Sequence, residues 1–344
     1  MRRLPPLIRD LDVGVLLDTF LAVGISTVLV VRAYLAATGY PQIGSSGSGI
    51  HVAHALFGGL LLMVALALSL ALLPRANRWV VAVCGGIGFG LFIDELGKFI
   101  TQDVDYFFSP TPALIYIVFM AMYLAFRMIG RSAGFARPEL LANAVSLMGE
   151  AAHRPLRVSE WRKVDDLLRR SDPANPLVRA LQAAAEQVEV VPEPEPGRLR
   201  RALLRARDAY AAAAAESSWF VVAVALVAAV LAALTFLHAI GLSYGFWALF
   251  PAPSQTGLVQ VVPTISATVS VVLTAIGIWQ LPRSRLRAYR SFDQALLVSL
   301  FVTQVFLFAQ EEFWAAFGFL ATLAVLFTVR LGLRVERSLE RDTS

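Results

Sequence analysis

The chain has 344 residues, of which 57% are hydrophobic and only 16% are charged, and its mean hydropathy is +0.65. A soluble domain has about 25% charged residues, so the composition indicates a polytopic membrane protein rather than a soluble one. The formal net charge of +5 comes mainly from arginines in short loops, which is typical of membrane topology and argues against nucleic-acid binding. The single cysteine, Cys84, excludes an intrachain disulfide and disfavours a cysteine-based metal site.

Eight segments are long and apolar enough to cross a lipid bilayer, which takes about 20 such residues. The first follows Met1-Arg2-Arg3 and is predicted to be an uncleaved span, because its apolar stretch is too long for a secretion signal. The last two nearly touch at Ala309-Gln310-Glu311-Glu312, which predicts a tight turn or a broken helix. The predicted spans are 13–37, 51–73, 79–101, 112–130, 218–240, 261–281, 293–310 and 313–332.

The charges of the loops predict how these spans are oriented. Arginines cluster before the first span, between the second and third, after the fourth, between the sixth and seventh, and after the eighth. The alternate loops 39–50 and 241–260 are uncharged, and 102–111 carries only Asp103 and Asp105. Because positive residues stay inside, we expect a plasma-membrane protein whose N-terminus, C-terminus and loop between the fourth and fifth spans are cytoplasmic.

The predicted fold class is therefore an all-α polytopic membrane protein with eight transmembrane helices and a helical cytoplasmic insert. Its predicted domains are a first four-span bundle over 1–130, the insert over 131–217, and a second four-span bundle with a short cytoplasmic tail over 218–344. Leu73-Pro74-Arg75 and Leu281-Pro282-Arg283 end corresponding spans of the two bundles. This internal repeat suggests a parallel 4+4 duplication, as some transporters have.

The insert is predicted to hold short helices over 138–153, from Val158 onward, and over 175–188. Pro192 to Gly197 forms an extended break, and an arginine- and alanine-rich helix over 198–217 then leads into the fifth span. A solvated helical insert and a module that binds a cytoplasmic protein partner both fit this pattern.

Asp94 and Glu95 follow a glycine-rich apolar run near one end of the third predicted span. A charge near the hydrocarbon centre costs about 2.5–3.5 kcal/mol on insertion scales, so charged residues inside a span indicate a functional site. His51 and His54 open the second span and, spaced by three, share one helix face. Because successive spans run in opposite directions, we expect charged groups from several spans to meet at the outer leaflet. The candidate site residues at this depth are Arg32, His51, His54, Asp94, Glu95, Lys98, His238, Glu311 and Glu312.

Small residues on the same spans predict close helix packing. Gly86 and Gly90 form a small-xxx-small pattern on the third span, and Gly58 and Gly59 lie on the second. Such glycines let helix backbones approach closely.

Three chemistries fit this constellation. His51, His54 and Glu95 could ligate a divalent metal ion such as Zn, Mn or Fe, which would activate water. Carboxylates and histidines could instead form a proton or cation path. Two histidines on different spans, His54 and His238, could ligate a haem.

A purely structural role also fits. Asp94 and Glu95 can pair along their helix with Lys98, and Arg32 can neutralise the remaining carboxylate. Asp18 and Asp293, about a turn inside the cytoplasmic ends, are predicted to snorkel to the interface. Thr303 and Gln304 could line a polar path or simply hydrogen-bond a neighbouring helix.

The second and third spans resemble a pattern in uncharacterised bacterial multi-pass membrane proteins of actinobacterial type. The resemblance rests on His51-Val52-Ala53-His54 with Gly58-Gly59, followed by Gly86-Ile87-Gly88-Phe89-Gly90 and Ile93-Asp94-Glu95. In this chain two residues separate the histidines, which are closer together in the family pattern. The resemblance implies no activity, but it implies that His51, His54, Asp94 and Glu95 act as one unit.

The leading functional hypothesis is ion- or proton-coupled transport, or ion binding, at an outward-facing site. Asp94 and Glu95 would be ligands or proton carriers, His51 and His54 their partners, and Arg32 and Lys98 the balancing charges. The second hypothesis is a metal-dependent membrane enzyme that acts on a lipid-linked or envelope substrate, with Glu95 as general base. The third is a membrane scaffold with a structural ion-pair cluster.

Overall fold

The structure is a computed structural model of a largely helical protein. The residues that it describes are 8–38, 54–72, 76–96, 111–131, 134–216, 218–244, 258–311 and 315–342.

Helices and one short strand pair make up the described residues. The membrane-type helices before the insert are α1 (Val13–Thr38), α2 (His54–Ala71), α3 (Ala76–Ile93) and α4 (Thr111–Arg131). The next elements are α5 (Arg137–Glu150), β1 (Leu156–Arg157), α6 (Val158–Arg170), α7 (Pro176–Ala185), β2 (Val190–Val191) and α8 (Arg198–Glu216). The remaining helices are α9 (Ser218–Tyr244), α10 (Leu258–Gln280), α11 (Arg285–Val298), a π-helical turn (Ser299–Thr303), α12 (Gln304–Glu311) and α13 (Ala315–Asp342).

Within the described residues, seven helices are long and apolar enough to cross a membrane, which makes this an all-α, multi-pass membrane protein. The predicted span 79–101 corresponds to a shorter apolar helix, Asn77–Ile93, and its remainder lies mostly outside the described residues. The helix that holds the predicted seventh span begins before residue 293, because it runs over Arg285–Gln310. Ser284 explains the earlier start, since its side chain caps α11 by accepting the Arg287 N–H.

The chain divides into two compact units. The first comprises Met1–Glu95 and Ala121–Glu195, and the second comprises Leu96–Met120 and Pro196–Ser344. The predicted division into two bundles and an insert stays a prediction, as does the 4+4 repeat.

Glycines set the packing of α3 in the first unit. A Cβ atom on Gly88 would lie 2.8 Å from the Gly58 carbonyl of α2, and one on Gly90 would lie 2.6 Å from the Gly24 carbonyl of α1. Helix backbones therefore meet α3 on two sides, and no side chain larger than glycine fits these crossings. The prediction of close approach is confirmed for Gly58, Gly86 and Gly90 and is wrong for Gly59, whose Cβ position has no heavy atom within 4 Å.

The insert helices α5, α6 and α7 also belong to the first unit and form a small soluble-type core. Amphipathic periodicity places Leu140, Ala144, Val164, Leu168 and Val178 in that core. The strands β1 and β2 pair in parallel, a feature that the sequence did not predict.

A π-helical turn marks the second unit. The Gln304 N–H bonds to the Ser299 carbonyl, five residues back, so the Leu300 carbonyl loses the donor that an α-helix would give it. The Tyr116 hydroxyl donates to that Leu300 carbonyl, and the Tyr116 ring stacks on Phe308. Tyr116 thereby satisfies a backbone group that has no water to turn to inside a membrane.

Candidate functional site: a buried charge cluster in the first unit

Two carboxylates lie in a turn that directly follows α3. The helix ends at Ile93, and the Asp94 N–H still bonds to the Gly90 carbonyl. Asp94 and Glu95 are almost completely buried, with 0% and 1% of their surface exposed. Burying two carboxylates is strongly unfavourable unless cations and hydrogen-bond donors surround them.

Arg32 of α1 supplies the first cation. Its Nε donates to Asp94 Oδ1 at 2.6 Å, and its Nη2 donates to the Asp94 backbone carbonyl at 2.8 Å. The guanidinium is itself buried, with 8% of the residue exposed. Arg32 therefore both pairs with the carboxylate and satisfies a backbone carbonyl just beyond the end of α3.

His54, at the start of α2, lies between the two carboxylates. Its Nε2 is 3.0 Å from Asp94 Oδ2, and its Nδ1 is 2.7 Å from Glu95 Oε1. Glu95 Oε1 also accepts the His54 backbone N–H at 2.9 Å. A carboxylate beside the first N–H groups of a helix complements the helix dipole, so Glu95 ties α2 to the end of α3.

The charges of this cluster balance in one protonation state. Asp94 and Glu95 carry two negative charges if ionised, and Arg32 carries one positive charge. An imidazolium donates from both ring nitrogens, whereas a neutral imidazole donates from only one. Because both nitrogens of His54 face carboxylate oxygens, the geometry fits the imidazolium, which makes the four residues neutral overall.

His54 is the most exposed of the four residues in the cluster. The His54 side chain is 22% exposed, while the carboxylates that it contacts are buried. Of the four residues, His54 is therefore the one best placed to exchange a proton with solvent.

The residues that meet are four of the nine predicted candidate residues. His51, Lys98 and Glu312 lie outside the described residues. His238 lies on α9 and Glu311 ends α12, and both belong to the second unit. The structure brings Arg32, His54, Asp94 and Glu95 into contact, and the functional roles of all nine residues stay predictions.

A metal site stays a prediction as well. Within the described residues, no group of three or more His, Cys, Asp and Glu side chains has an arrangement that could hold a metal ion. The predicted ligand His51 lies outside those residues, and both ring nitrogens of His54 already contact carboxylates. The same engagement of His54 leaves its imidazole no nitrogen for a haem iron.

Polar residues deeper in the spans turn out to make local contacts. Asp293 pairs with Arg330 of α13 at 2.8 Å, a contact that the sequence did not predict, and its snorkelling stays a prediction. Thr303 lies 2.9 Å from Ser266 of α10, hydroxyl to hydroxyl, which is a hydrogen bond between helices. Asp18 is exposed on α1, which is compatible with snorkelling.

A second charged cluster in the first unit was missed by the sequence analysis. Arg9 donates from Nε and Nη2 to the two oxygens of Glu139, each at 2.9 Å, and its backbone N–H bonds to the same carboxylate. Asn143 accepts the Leu11 N–H at 3.0 Å and donates to the Arg9 carbonyl at 2.8 Å. We call the segment 9–11 with Glu139 and Asn143 the inner latch, because it fastens the chain before α1 to α5.

Charge-assisted hydrogen bonds fix the ionisation of the inner latch. The Arg9 guanidinium, followed by the Ala136 backbone N–H, lowers the pKa of Glu139 from 4.5 to about 2. Glu139 in turn raises the pKa of Arg9. The only sequence signal was Glu139 itself, which stands at the third position of α5, where a carboxylate accepts a helix-start N–H.

Comparison of the chain with protein-family models, with curated proteins and with solved structures finds no match.

Proposed function

We propose that this protein is an ion-binding, multi-pass membrane protein whose cluster of Arg32, His54, Asp94 and Glu95 binds and releases a proton in coupled transport. The observation that carries the proposal is the position of the His54 imidazole, which bridges two buried carboxylates through its two ring nitrogens. Histidine is the ordinary side chain whose charge changes between about pH 5 and 8, so it is the group here best suited to exchange a proton.

Loss of that proton changes the contact between two helices. A neutral imidazole keeps one N–H and turns a lone pair toward the other carboxylate, so one attractive contact becomes repulsive. The backbone bond from His54 to Glu95 spans the same α2–α3 junction. Deprotonation therefore weakens the junction and exposes a buried carboxylate to a cation or a transported group.

The proposal includes the finer topology. We propose that Asn77–Ile93 is part of an eighth span, that both termini are cytoplasmic, and that the charge cluster faces outward in a bacterial plasma membrane. Tryptophans at span ends support the interfacial levels: Trp219 and Trp279 are 83% and 64% exposed, and the Arg283 guanidinium lies 4.4 Å from the Trp279 ring centre. Labelling of single cysteines from either side of sealed vesicles tests this orientation.

Proton movement through reconstituted protein tests the function. Vesicles with a trapped pH-sensitive dye receive an imposed pH gradient, and the initial rate of internal pH change is measured. Wild-type protein is expected to exceed protein-free vesicles, and His54→Gln and Glu95→Gln are expected to fall to the protein-free rate.

A matched histidine variant serves as the control. His153 lies on the insert, is 48% exposed in its side chain and pairs with Glu150, so His153→Gln is expected to keep the wild-type rate. The transport proposal fails if folded wild-type protein gives no more flux than protein-free vesicles, or if His54→Gln keeps the full rate.

A membrane scaffold is the second candidate function, and two contacts favour it. Glu95 accepts the His54 backbone N–H, and Arg32 donates to the Asp94 carbonyl, so both residues fasten helix ends. A scaffold predicts that Glu95→Gln lowers the unfolding temperature while no flux depends on it. Proton coupling predicts that flux is lost even at temperatures where the variant is fully folded.

A further inference from the structure

Two adjoining cavities lie in the first unit, near the N-terminal end of α1. The larger, of about 630 Å³, lies among α1, α2, α3 and the last part of α4. The smaller, of about 470 Å³, lies among the segment before α1, the start of α3 and α5. Leu16, Leu17 and Arg78 line both cavities, so the two form one cleft.

The two cavities differ in chemistry. Leucine, phenylalanine and methionine side chains line most of the larger one, with Phe20, Leu62 and Phe126 among them. Arg9, Asp10, Asn143 and Ser146 contribute polar groups to the smaller one. The cleft thus joins an apolar chamber to a polar one, which is the pattern that an amphiphile requires.

Arg78 stands where the two chambers meet. Its side chain is 43% exposed, and it pairs with Asp10. A guanidinium has five N–H donors, and a carboxylate engages at most two of them in a forked pair. The remaining donors suit the oxygens of a phosphate, the group that arginine recognises best in planar geometry.

From these observations we propose that the cleft binds one anionic phospholipid. An acyl chain occupies the apolar chamber, and the phosphate lies at Arg78 in the polar chamber. An acyl chain that fills the apolar chamber gains dispersion contacts with its lining. In the proposed topology the cleft opens at the cytoplasmic leaflet, whose anionic lipids are drawn to basic pockets between helices.

Lipid binding to the detergent-purified full chain tests the proposal. The affinities of dioleoylphosphatidylglycerol and dioleoylphosphatidylcholine, which have the same acyl chains, are compared by native mass spectrometry. We expect the anionic lipid to bind more tightly and Arg78→Gln to weaken its binding about tenfold, which is the scale of a lost charge-assisted hydrogen bond.

A pair of substitutions on α2 tests the apolar chamber. Ser69 is exposed and lines the chamber, so Ser69→Phe is expected to fill it and to weaken binding of both lipids. Ala67 is exposed on the same helix and is not part of the lining, so Ala67→Phe is expected to leave both affinities unchanged. If Arg78→Gln alone does not fold, the double variant Asp10→Asn/Arg78→Gln is used instead. It removes both charges of the ion pair at once.

Three results overturn the proposal. Equal affinities for the two lipids would show that Arg78 does not bind the phosphate. Unchanged lipid binding in Ser69→Phe would show that the acyl chain does not occupy the apolar chamber. Glycerol 3-phosphate or inorganic phosphate that binds as tightly as the anionic lipid makes this a site for a soluble anion instead. The test is independent of the proton site, because no residue of the cleft belongs to the outer charge cluster.

Discussion

Two arginine–carboxylate pairs hold the first unit at the two ends of α1, and they differ in burial. Arg32 and Asp94 are 8% and 0% exposed in their side chains, whereas Arg9 and Glu139 of the inner latch are 19% and 11% exposed. From Val13 to Arg32 the helix rises about 28 Å, at 1.5 Å per residue, which is close to the thickness of the hydrocarbon core. One helix thus connects two ion pairs in different dielectric surroundings.

The difference between the two ends lies in what can titrate. In the inner latch, an always-charged arginine meets a carboxylate whose pKa is lowered to about 2, so this end stays ionised at physiological pH. At the other end, His54 contacts both carboxylates and Arg32 contacts Asp94. A fixed anchor at one end and a titratable cluster at the other suit a protein that responds to protons on one side only.

Removal of Arg32 is expected to have the largest effect. Arg32→Leu leaves the buried Asp94 without its guanidinium, and breaking a buried pair costs about 3–5 kcal/mol in free energy of unfolding. The double variant Arg32→Leu/Asp94→Leu is expected to recover most of this loss, because it leaves no uncompensated charge. Denaturant titration in mixed micelles measures both, and a loss below about 1 kcal/mol in the single variant would contradict the burial argument.

A larger side chain at the crossing of α2 and α3 is expected to have the second-largest effect on stability. A Cβ on Gly58 would lie 2.6 Å from the Phe92 backbone N, so Gly58→Ala forces the helices apart and costs about 1–3 kcal/mol. Since His54 and Glu95 lie on these two helices, the variant should also lose proton flux. Gly59→Ala is the control, because its Cβ meets no heavy atom within 4 Å, and equal destabilisation by both variants would refute the crossing.

The inner latch is expected to matter mainly to the insert, and with a defined pH dependence. The pKa of Glu139 is lower in the folded protein than its ordinary value of 4.5, so its stabilisation is fully present above about pH 4.5. It is lost as pH falls from about 4.5 through about 2, where the carboxylate becomes protonated in the folded protein. Resistance of the insert to an acid-active protease measures this dependence.

Glu139→Gln should reduce that protease resistance near neutral pH and remove the Glu139 contribution to its acid dependence. Proton flux through the outer cluster should persist in this variant. If the acid dependence of protease resistance in this variant matched that of the wild type, Arg9 would not be lowering the pKa of Glu139.

His153→Gln is expected to have the smallest effect. His153 is 48% exposed in its side chain and lies 3.3 Å from Glu150, and such surface pairs contribute about 0–1 kcal/mol. Its unfolding free energy should equal that of the wild type within about 0.5 kcal/mol. If His153→Gln lost more unfolding free energy than His54→Gln, the exposed His153 pair would matter more than the His54 contacts, which would contradict the account.

Hydropathy and helix periodicity were enough to predict the seven long apolar helices among the described residues. Arg32, His54, Asp94 and Glu95 were predictable because charges are rare in apolar spans and antiparallel neighbours bring equal depths together. The inner latch was not predictable, because Arg9 and Glu139 are 130 residues apart and lie among many ordinary loop charges. The pairing of Asp293 with Arg330 was not predicted for a related reason, since the two residues are 37 positions apart and lie on different helices.

The protonation of His54 is the most direct test of the account. Ring nitrogen NMR shifts of histidine-labelled protein, assigned with His54→Gln, are followed from about pH 5 to about pH 10, a range that allows for a shifted histidine. The account predicts that the His54 ring carries protons on both nitrogens at the acidic end and loses one within this range. It also predicts that Glu95→Gln changes the pH of the transition, because the variant removes a carboxylate that contacts the ring. A His54 ring that keeps one protonation state over the whole range would contradict proton exchange. The cluster would then serve only to stabilise the contact between helices.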